Sequence, residues 1–93
     1  MIGFNPREMR YMPAAPNVRA TGMLGWVTFD LGPVQIDSVS VRRRKDGSYH
    51  LSFPVRVDSN GVEHSLVRPL NASARAEIET AVLGELRKRG FVS

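Results

Sequence analysis

The alternation of apolar and polar residues predicts β-strands over the first two thirds of the chain. From residue 49 to residue 58 every second residue is apolar, which is the period of a strand with one buried face. Three other segments are rich in β-forming residues or alternate weakly, and they predict strands at residues 7–12, 24–31 and 62–67. Residues 1–22 hold three of the six prolines and are expected to be loosely structured around the first of these strands.

The segment from residue 34 to residue 44 is predicted to be one strand with a bulge. Its apolar residues lie at even positions before Asp37-Ser38 and at odd positions after it. These apolar residues are Val34, Ile36, Val39 and Val41. A β-bulge near Asp37-Ser38 adds one residue to the strand, so it would return all four side chains to one face.

The hairpin after this strand is predicted to close with a three-residue loop, residues 45–47. A two-residue Asp46-Gly47 turn would split the apolar residues between the two faces, whereas the longer loop pairs Val41 with Leu51. The longer loop also places its glycine at the left-handed position of a G1-type bulge. In this register the polar face carries Arg42, Arg44, His50 and Arg56. Arg43 falls on the apolar side.

A helical period follows Pro69. The apolar residues recur three or four positions apart, at Ala74, Ile78, Ala81, Val82 and Leu86. Asn71 and Ser73 are both candidate N-caps, and Gly90 is expected to end the helix. We therefore predict a single α+β domain over residues 1–93, an antiparallel β-meander of about five strands followed by one C-terminal helix.

The composition argues against most catalytic chemistry. The chain has no cysteine, which excludes disulfides, thiolate metal sites and cysteine nucleophiles. His50 and His64 have no cluster of carboxylates near them in sequence, and no phosphate-binding loop or nucleophile elbow is present. We expect no enzymatic activity, cofactor, metal or small-molecule substrate. No segment resembles a signal peptide or a membrane span, so a cytoplasmic protein without a membrane partner is expected.

The charge points to an anionic partner. The net charge is +4, and the 13 basic residues include only two lysines. Arginine binds phosphate with two parallel hydrogen bonds and stacks on bases. The run Arg42-Arg43-Arg44-Lys45 places four like charges side by side at a hairpin that needs none of them. Phosphate contact and the blunting of an edge strand are both open explanations of this run.

Two other groups of basic residues have structural explanations. Arg56 would face Glu63 if the second hairpin had a four-residue loop, and Ser65 if it had a two-residue turn; the sequence leaves both open. Residues 87–89 are basic at the expected helix C-terminus, where the helix dipole favours cations. Glu85 could also form an ion pair with Lys88 or Arg89.

Several short motifs follow one another in a distinctive order. Along the chain they are Phe53-Pro54, Arg56, Asn60-Gly61, Pro69-Leu70-Asn71 and Ala81-Val82-Leu83. With their spacing, they make roughly residues 24–83 resemble the stage V sporulation protein G (SpoVG, or septation protein) family.

The resemblance implies a small homodimeric regulator with a β-sheet and a following helix. Members of that family bind DNA and some bind RNA, and the family is linked to septation, sporulation and gene regulation. Arg56 stands at the family's basic position after the proline, and Arg68 replaces the family's usual histidine. Val57 departs from the pattern, because the family usually has a second basic residue there. The basic run at residues 42–45 has no counterpart in the family.

These observations predict a dimeric nucleic-acid-binding protein that contacts the phosphate backbone. The candidate binding residues are Arg42, Arg44, Lys45, His50, Arg56 and Arg68. Tyr49 and His50 could stack on the bases of a single-stranded target. Dimerisation is expected because one helix leaves an apolar face or an edge of the sheet to protect. The alternative is a dimeric adaptor whose basic face binds an acidic protein.

Overall fold

A computed structural model describes residues 3–93, and it confirms the predicted α+β class with an antiparallel meander. A four-stranded antiparallel sheet contains, in spatial order, β1 (Arg10–Pro13), β2 (Met23–Leu31), β3 (Val34–Arg43) and β4 (Tyr49–Ser52). A separate two-stranded sheet contains β5 (Val55–Val57) and β6 (Glu63–Ser65). The helices are α1 (Pro16–Arg19), α2 (Ala72–Lys88) and a 3-10 turn at Pro6–Glu8.

The predicted bulge in β3 is present. The register between β2 and β3 shifts by one residue between Ile36 and Val39, and Ser38 there has a φ of 59°. A positive φ is uncommon for a residue other than glycine, and it is tolerated at a bulge that redirects the chain. The bulge buries Ile36, Val39 and Val41 on one face, whereas Val34 at the start of the strand stays 53% exposed.

The predicted register of the first hairpin is also confirmed. Val41 lies opposite Leu51, and the Arg44 N–H donates to the Ser48 carbonyl at 2.7 Å to close a three-residue loop. Gly47 has a φ of 91° at the last position of that loop, where a side chain would be strained.

The single strand predicted at residues 49–58 is divided in two by Phe53 and Pro54. Pro54 has no N–H to donate to a ladder, so the chain leaves the first sheet there. Phe53 points into the core, with the Arg75 guanidinium 5.5 Å from the centre of its ring. Because β4 ends at Ser52, Phe53 lies beyond the ladder that joins β4 to β3.

The second hairpin adopts neither of the two registers considered for Arg56. Arg56 lies opposite His64, between the positions expected for a longer and a shorter loop. The hairpin is closed by Asp58, whose N–H donates to the Val62 carbonyl at 3.0 Å. All six residues of β5 and β6 are exposed.

The helix α2 packs on the sheet face that carries the apolar residues of β2, β3 and β4. Asn71 is its N-cap, because the Asn71 side-chain oxygen accepts the Ala74 N–H at 2.8 Å. Gly90 follows the helix with a φ of 83°, as expected of a residue that ends one. The buried residues of α2 are Ile78, Val82, Leu83 and Leu86, of which only Leu83 was not predicted.

Two side chains of α2 occupy the free edge of β4. The Leu51 N–H donates to the Glu79 carboxylate at 2.9 Å, and the Arg75 guanidinium donates to the Leu51 carbonyl at 2.9 Å. Arg75 and Glu79 also form an ion pair of 3.3 Å one helical turn apart. These contacts satisfy the peptide groups of an edge residue whose side chain is fully buried.

The N-terminal segment is held to the end of α2. Arg89 donates to the carbonyl oxygens of Met9 and Pro6 at 2.8 and 2.6 Å, and it forms a 2.9 Å ion pair with Glu85. Pro6–Glu8 form the 3-10 turn, so the first strand begins at Arg10 and not at residue 7 as predicted.

We expect Glu79→Ala to lower the free energy of unfolding by about 1–2 kcal/mol. The substitution leaves the Leu51 N–H without its acceptor, and a buried donor without a partner costs stability. Urea unfolding followed by circular dichroism would measure the change. Glu77→Ala is the matched control, since Glu77 is an exposed glutamate of the same helix. Equal effects of the two substitutions would contradict the proposed role of Glu79.

Candidate functional site

Within residues 3–93, no helix covers one of the two faces of the four-stranded sheet. The cross-strand pairs on this face join Arg10 to Thr28, Met12 to Trp26, Trp26 to Ser40, Ser40 to Ser52, and Arg42 to His50. We call these residues the open face. Every one of them is exposed or half-buried, whereas the side chains that alternate with them on β2 and β3 are buried in the core, namely Val27, Phe29, Val39 and Val41.

The basic hairpin lies at one end of the open face. Arg42 is opposite His50, and Arg44 and Lys45 continue into the loop; the three cations are exposed. Within residues 3–93 the ion pairs join His64 to Asp58, Arg75 to Glu79 and Arg89 to Glu85, and none involves the hairpin cations. Within residues 3–93 the Arg44 side chain donates one hydrogen bond, to the Ser48 hydroxyl at 3.4 Å.

Asp46, the carboxylate at the hairpin tip, is engaged within the loop. It accepts hydrogen bonds from the Ser48 hydroxyl at 2.7 Å and the Ser48 N–H at 2.9 Å. These two bonds lower the pKa of Asp46, and the nearby Arg44 charge lowers it further. The carboxylate therefore stabilises the turn, and none of the ion pairs in the described part of the chain includes it.

His50 is half-buried among charged groups. Burial is the main cause that lowers its pKa below the ordinary value of 6.5, and the Arg44 charge is the second. Arg42 and Arg75 act in the same direction, whereas Glu79 opposes them. The His50 Nδ1 is buried without a hydrogen-bond partner in the described part of the chain. The folded protein consequently favours the neutral imidazole.

The other predicted binding residues lie elsewhere. Arg56 belongs to the β5–β6 hairpin, so the open face does not include it, in contrast to the prediction. The division of the chain at Pro54 is the physical reason. His64, the partner of Arg56 across the hairpin, contacts Asp58 at 2.8 Å. Arg68 is exposed in the segment between β6 and α2. The structure thus groups Arg42, Arg44, Lys45 and His50 on one hairpin, apart from Arg56 and Arg68.

Arg43 and Tyr49 face the helix side of the sheet, as the register predicted. They are cross-strand partners, and Tyr49 packs against the core. The Tyr49 hydroxyl lies 2.8 Å from the Ser93 hydroxyl, and this hydrogen bond lowers the pKa of Tyr49. The position of Tyr49 removes it from the candidate base-stacking residues on the open face.

The basic residues at the end of α2 make structural contacts. Arg89 holds the N-terminal segment, and Arg87 donates to the Ser93 carbonyl at 3.1 Å. These contacts agree with the structural explanation of the cluster, and Arg89 is the residue that pairs with Glu85.

Arg10, Met12 and Trp26 have the large side chains of the open face that were not among the predicted binding residues. The alternation of β2 could have indicated that Trp26 is exposed. Trp26 lies between the buried residues Gly25 and Val27, so its side chain points to the opposite face of the sheet. The signal for Arg10 and Met12 is weak, because their strand has only four residues.

No protein-family model matches the chain, no curated protein matches it and no solved structure matches it. The resemblance to the SpoVG family therefore stays a prediction. No helix within residues 3–93 has the length and apolarity needed to cross a membrane. The same residues contain no group of three or more histidine and acidic side chains that could hold a metal ion.

We expect acidification to destabilise the protein through His50. Its lowered pKa means that the unfolded chain binds more protons than the folded chain below about pH 6.5, so stability falls as the pH decreases through that range. Asp46 and Asp58 have pKa values below the ordinary 3.8, so they contribute to acid destabilisation only at lower pH.

Thermal unfolding of the wild type and of His50→Gln at pH 7.5 and pH 5.5 would test this expectation. The wild type should lose more stability between these two pH values than the variant does. An equal loss in both proteins would contradict the role assigned to His50.

Proposed function

We propose that this protein is a cytoplasmic, non-enzymatic regulator that binds DNA or RNA through the basic end of the open face. The observation that carries the proposal is the position of Arg42, Arg44 and Lys45. They are exposed, adjacent, and free of ion pairs with the acidic residues of the described chain. Like charges held this close repel one another, and a bound anionic partner offsets the free energy of that repulsion.

The phosphate backbone is the ligand that suits this hairpin best. Guanidinium groups bind phosphate oxygens with two hydrogen bonds, and the β3–β4 ladder holds Arg42 opposite His50. A phosphate near His50 would favour the protonated imidazole and add a fourth cationic group to Arg42, Arg44 and Lys45. Arg56 and Arg68 are proposed as further contacts made from the second hairpin and from the segment that follows it.

The order of sheet and helix supports the proposed SpoVG-like role. The structure has an antiparallel meander followed by one long helix, which is the arrangement that the resemblance implies. A role in septation, sporulation or gene regulation is accordingly the biological proposal. The basic hairpin would then be a binding element that is specific to this chain, because the family has no equivalent run of basic residues.

The β5–β6 hairpin supports the proposed homodimer. A hairpin of two short strands is marginally stable in water unless another surface covers it. Val57 is 59% exposed, Val62 53% and Leu66 60%, so apolar side chains of this hairpin face solvent. The outer edges of β5 and β6 are also unpaired within the described chain. A second copy could cover both features at once.

We expect Arg42→Ala/Arg44→Ala to weaken nucleic-acid binding and to flatten its salt dependence. Each lost phosphate contact should reduce the slope of log affinity against log salt by about 1, so the double variant should lose about 2. Fluorescence anisotropy with labelled DNA and RNA at several salt concentrations would measure this.

Arg7→Ala/Lys88→Ala is the charge-matched control for that experiment, because both residues are exposed and neither belongs to the basic hairpin. Equal losses in the two double variants would show that total charge alone drives binding. The absence of binding at low salt would contradict the proposed function. Pull-down from lysate with and without nuclease would then test the adaptor alternative, which predicts an acidic protein that is retained after nuclease treatment.

We expect the wild type to be dimeric at micromolar concentration and Val57→Asp to be monomeric. A carboxylate that becomes buried at an apolar interface loses its hydration, which costs free energy, whereas an exposed carboxylate stays hydrated. Light scattering would give both masses. Val34→Asp is the control, since Val34 is similarly exposed, at 53%, but lies at the β2–β3 turn. A monomeric wild type would contradict the dimer.

A further inference from the structure

Trp26 is an exposed aromatic residue at the centre of the open face. It lies on β2, with Met12 opposite it on β1 and Ser40 opposite it on β3. Trp26 is 39% exposed and Met12 is 67% exposed, although both have large apolar side chains. It is the only tryptophan in the chain.

The fold gives Trp26 no structural task that would explain its exposure. The hydrophobic core lies on the other face of the sheet and includes Phe29 and Val27 of the same strand. The aromatic contacts within residues 3–93 join Phe4 to Phe29 and Tyr11 to Phe91, so the Trp26 ring has no aromatic neighbour. Its ring and the Met12 side chain help to line a shallow groove of about 610 Å³.

Cations flank Trp26 on opposite diagonals. Arg10 lies two residues from Met12 along β1, and Arg42 lies two residues from Ser40 along β3, in the opposite direction. With strands about 4.8 Å apart and about 3.4 Å per residue, the two arginine Cα atoms are roughly 17 Å from each other across the Trp26 ring. Both arginines are exposed, and neither forms an ion pair in the described chain.

We propose that the open face is a stacking platform for single-stranded nucleic acid. Trp26 would stack on an unpaired base beside Met12, and Arg10 and Arg42 would contact phosphates on either side of that base. The inference rests on the proposed function and specifies the form of nucleic acid that is bound. A duplex hides the faces of its bases in its own stack, whereas a single strand presents them to an aromatic ring.

The intrinsic fluorescence of Trp26 provides a direct test. A ten-nucleotide deoxythymidine oligomer should quench the emission as it binds, and a duplex of equal length should quench it much less. Trp26→Ala should weaken binding of the single strand on the order of tenfold, whereas Trp26→Phe should retain most of the affinity. Binding of the duplex should be the same in both variants. Leu70→Ala is the control, because Leu70 is 95% exposed outside the open face.

The outcomes separate this inference from the function on which it rests. Salt-sensitive binding with unquenched Trp26 emission, or with equal affinity for single strand and duplex, would overturn the platform and leave the proposed function standing. An emission change that follows protein concentration without nucleic acid would show that the open face binds a second copy, and it would also overturn the platform. No binding of any nucleic acid would overturn both proposals.

Discussion

The packing of α2 on one face of the four-stranded sheet is the constraint on which the other features depend. The sheet has two faces and the described chain has a single long helix, so one face is buried and the other is left to solvent. Burial of apolar side chains from β2, β3, β4 and α2 supplies the stabilising free energy. Glu79 and Arg75 fix the helix against the edge of β4 by binding the peptide groups of Leu51, so they set both the position of the helix and the end of the sheet.

Closure of that edge explains why the β5–β6 hairpin does not extend the four-stranded sheet. With the outward peptide groups of Leu51 already bonded to α2, no fifth strand can pair along β4 there. The chain turns at Pro54, and β5 and β6 pair only with each other. Residues 3–93 thereby leave two surfaces uncovered, the open face with its cations and Trp26, and the exposed apolar hairpin. The proposed functions use these two surfaces, one for nucleic acid and one for a second copy.

Local patterns predicted much of the fold. The phase change in β3 required a bulge and the alternation of Val41 and Leu51 fixed the first hairpin, because a wrong register would have exposed apolar side chains. The alternation from Tyr49 to Val57 continues through Pro54 and predicts one strand, although the missing N–H of Pro54 is a local signal against it. The closure of the β4 edge could not be predicted from a short pattern, because Glu79 and Leu51 are 28 residues apart. The same limit applies to the candidate site. Arg42 and His50 were grouped correctly by register, whereas Arg10 joined them only through the pairing of β1 with β2.

Nucleic acid is proposed to bind on the open face, and chemical-shift mapping by nuclear magnetic resonance can locate the bound surface residue by residue. Titration with an unlabelled oligonucleotide should shift the amide signals of Arg42 and His50 and the indole signal of Trp26. Signals from the exposed side of α2, such as those of Glu77 and Thr80, should stay in place. Shifts confined to α2, or no shifts at low salt, would show that the open face is not the nucleic-acid-binding surface.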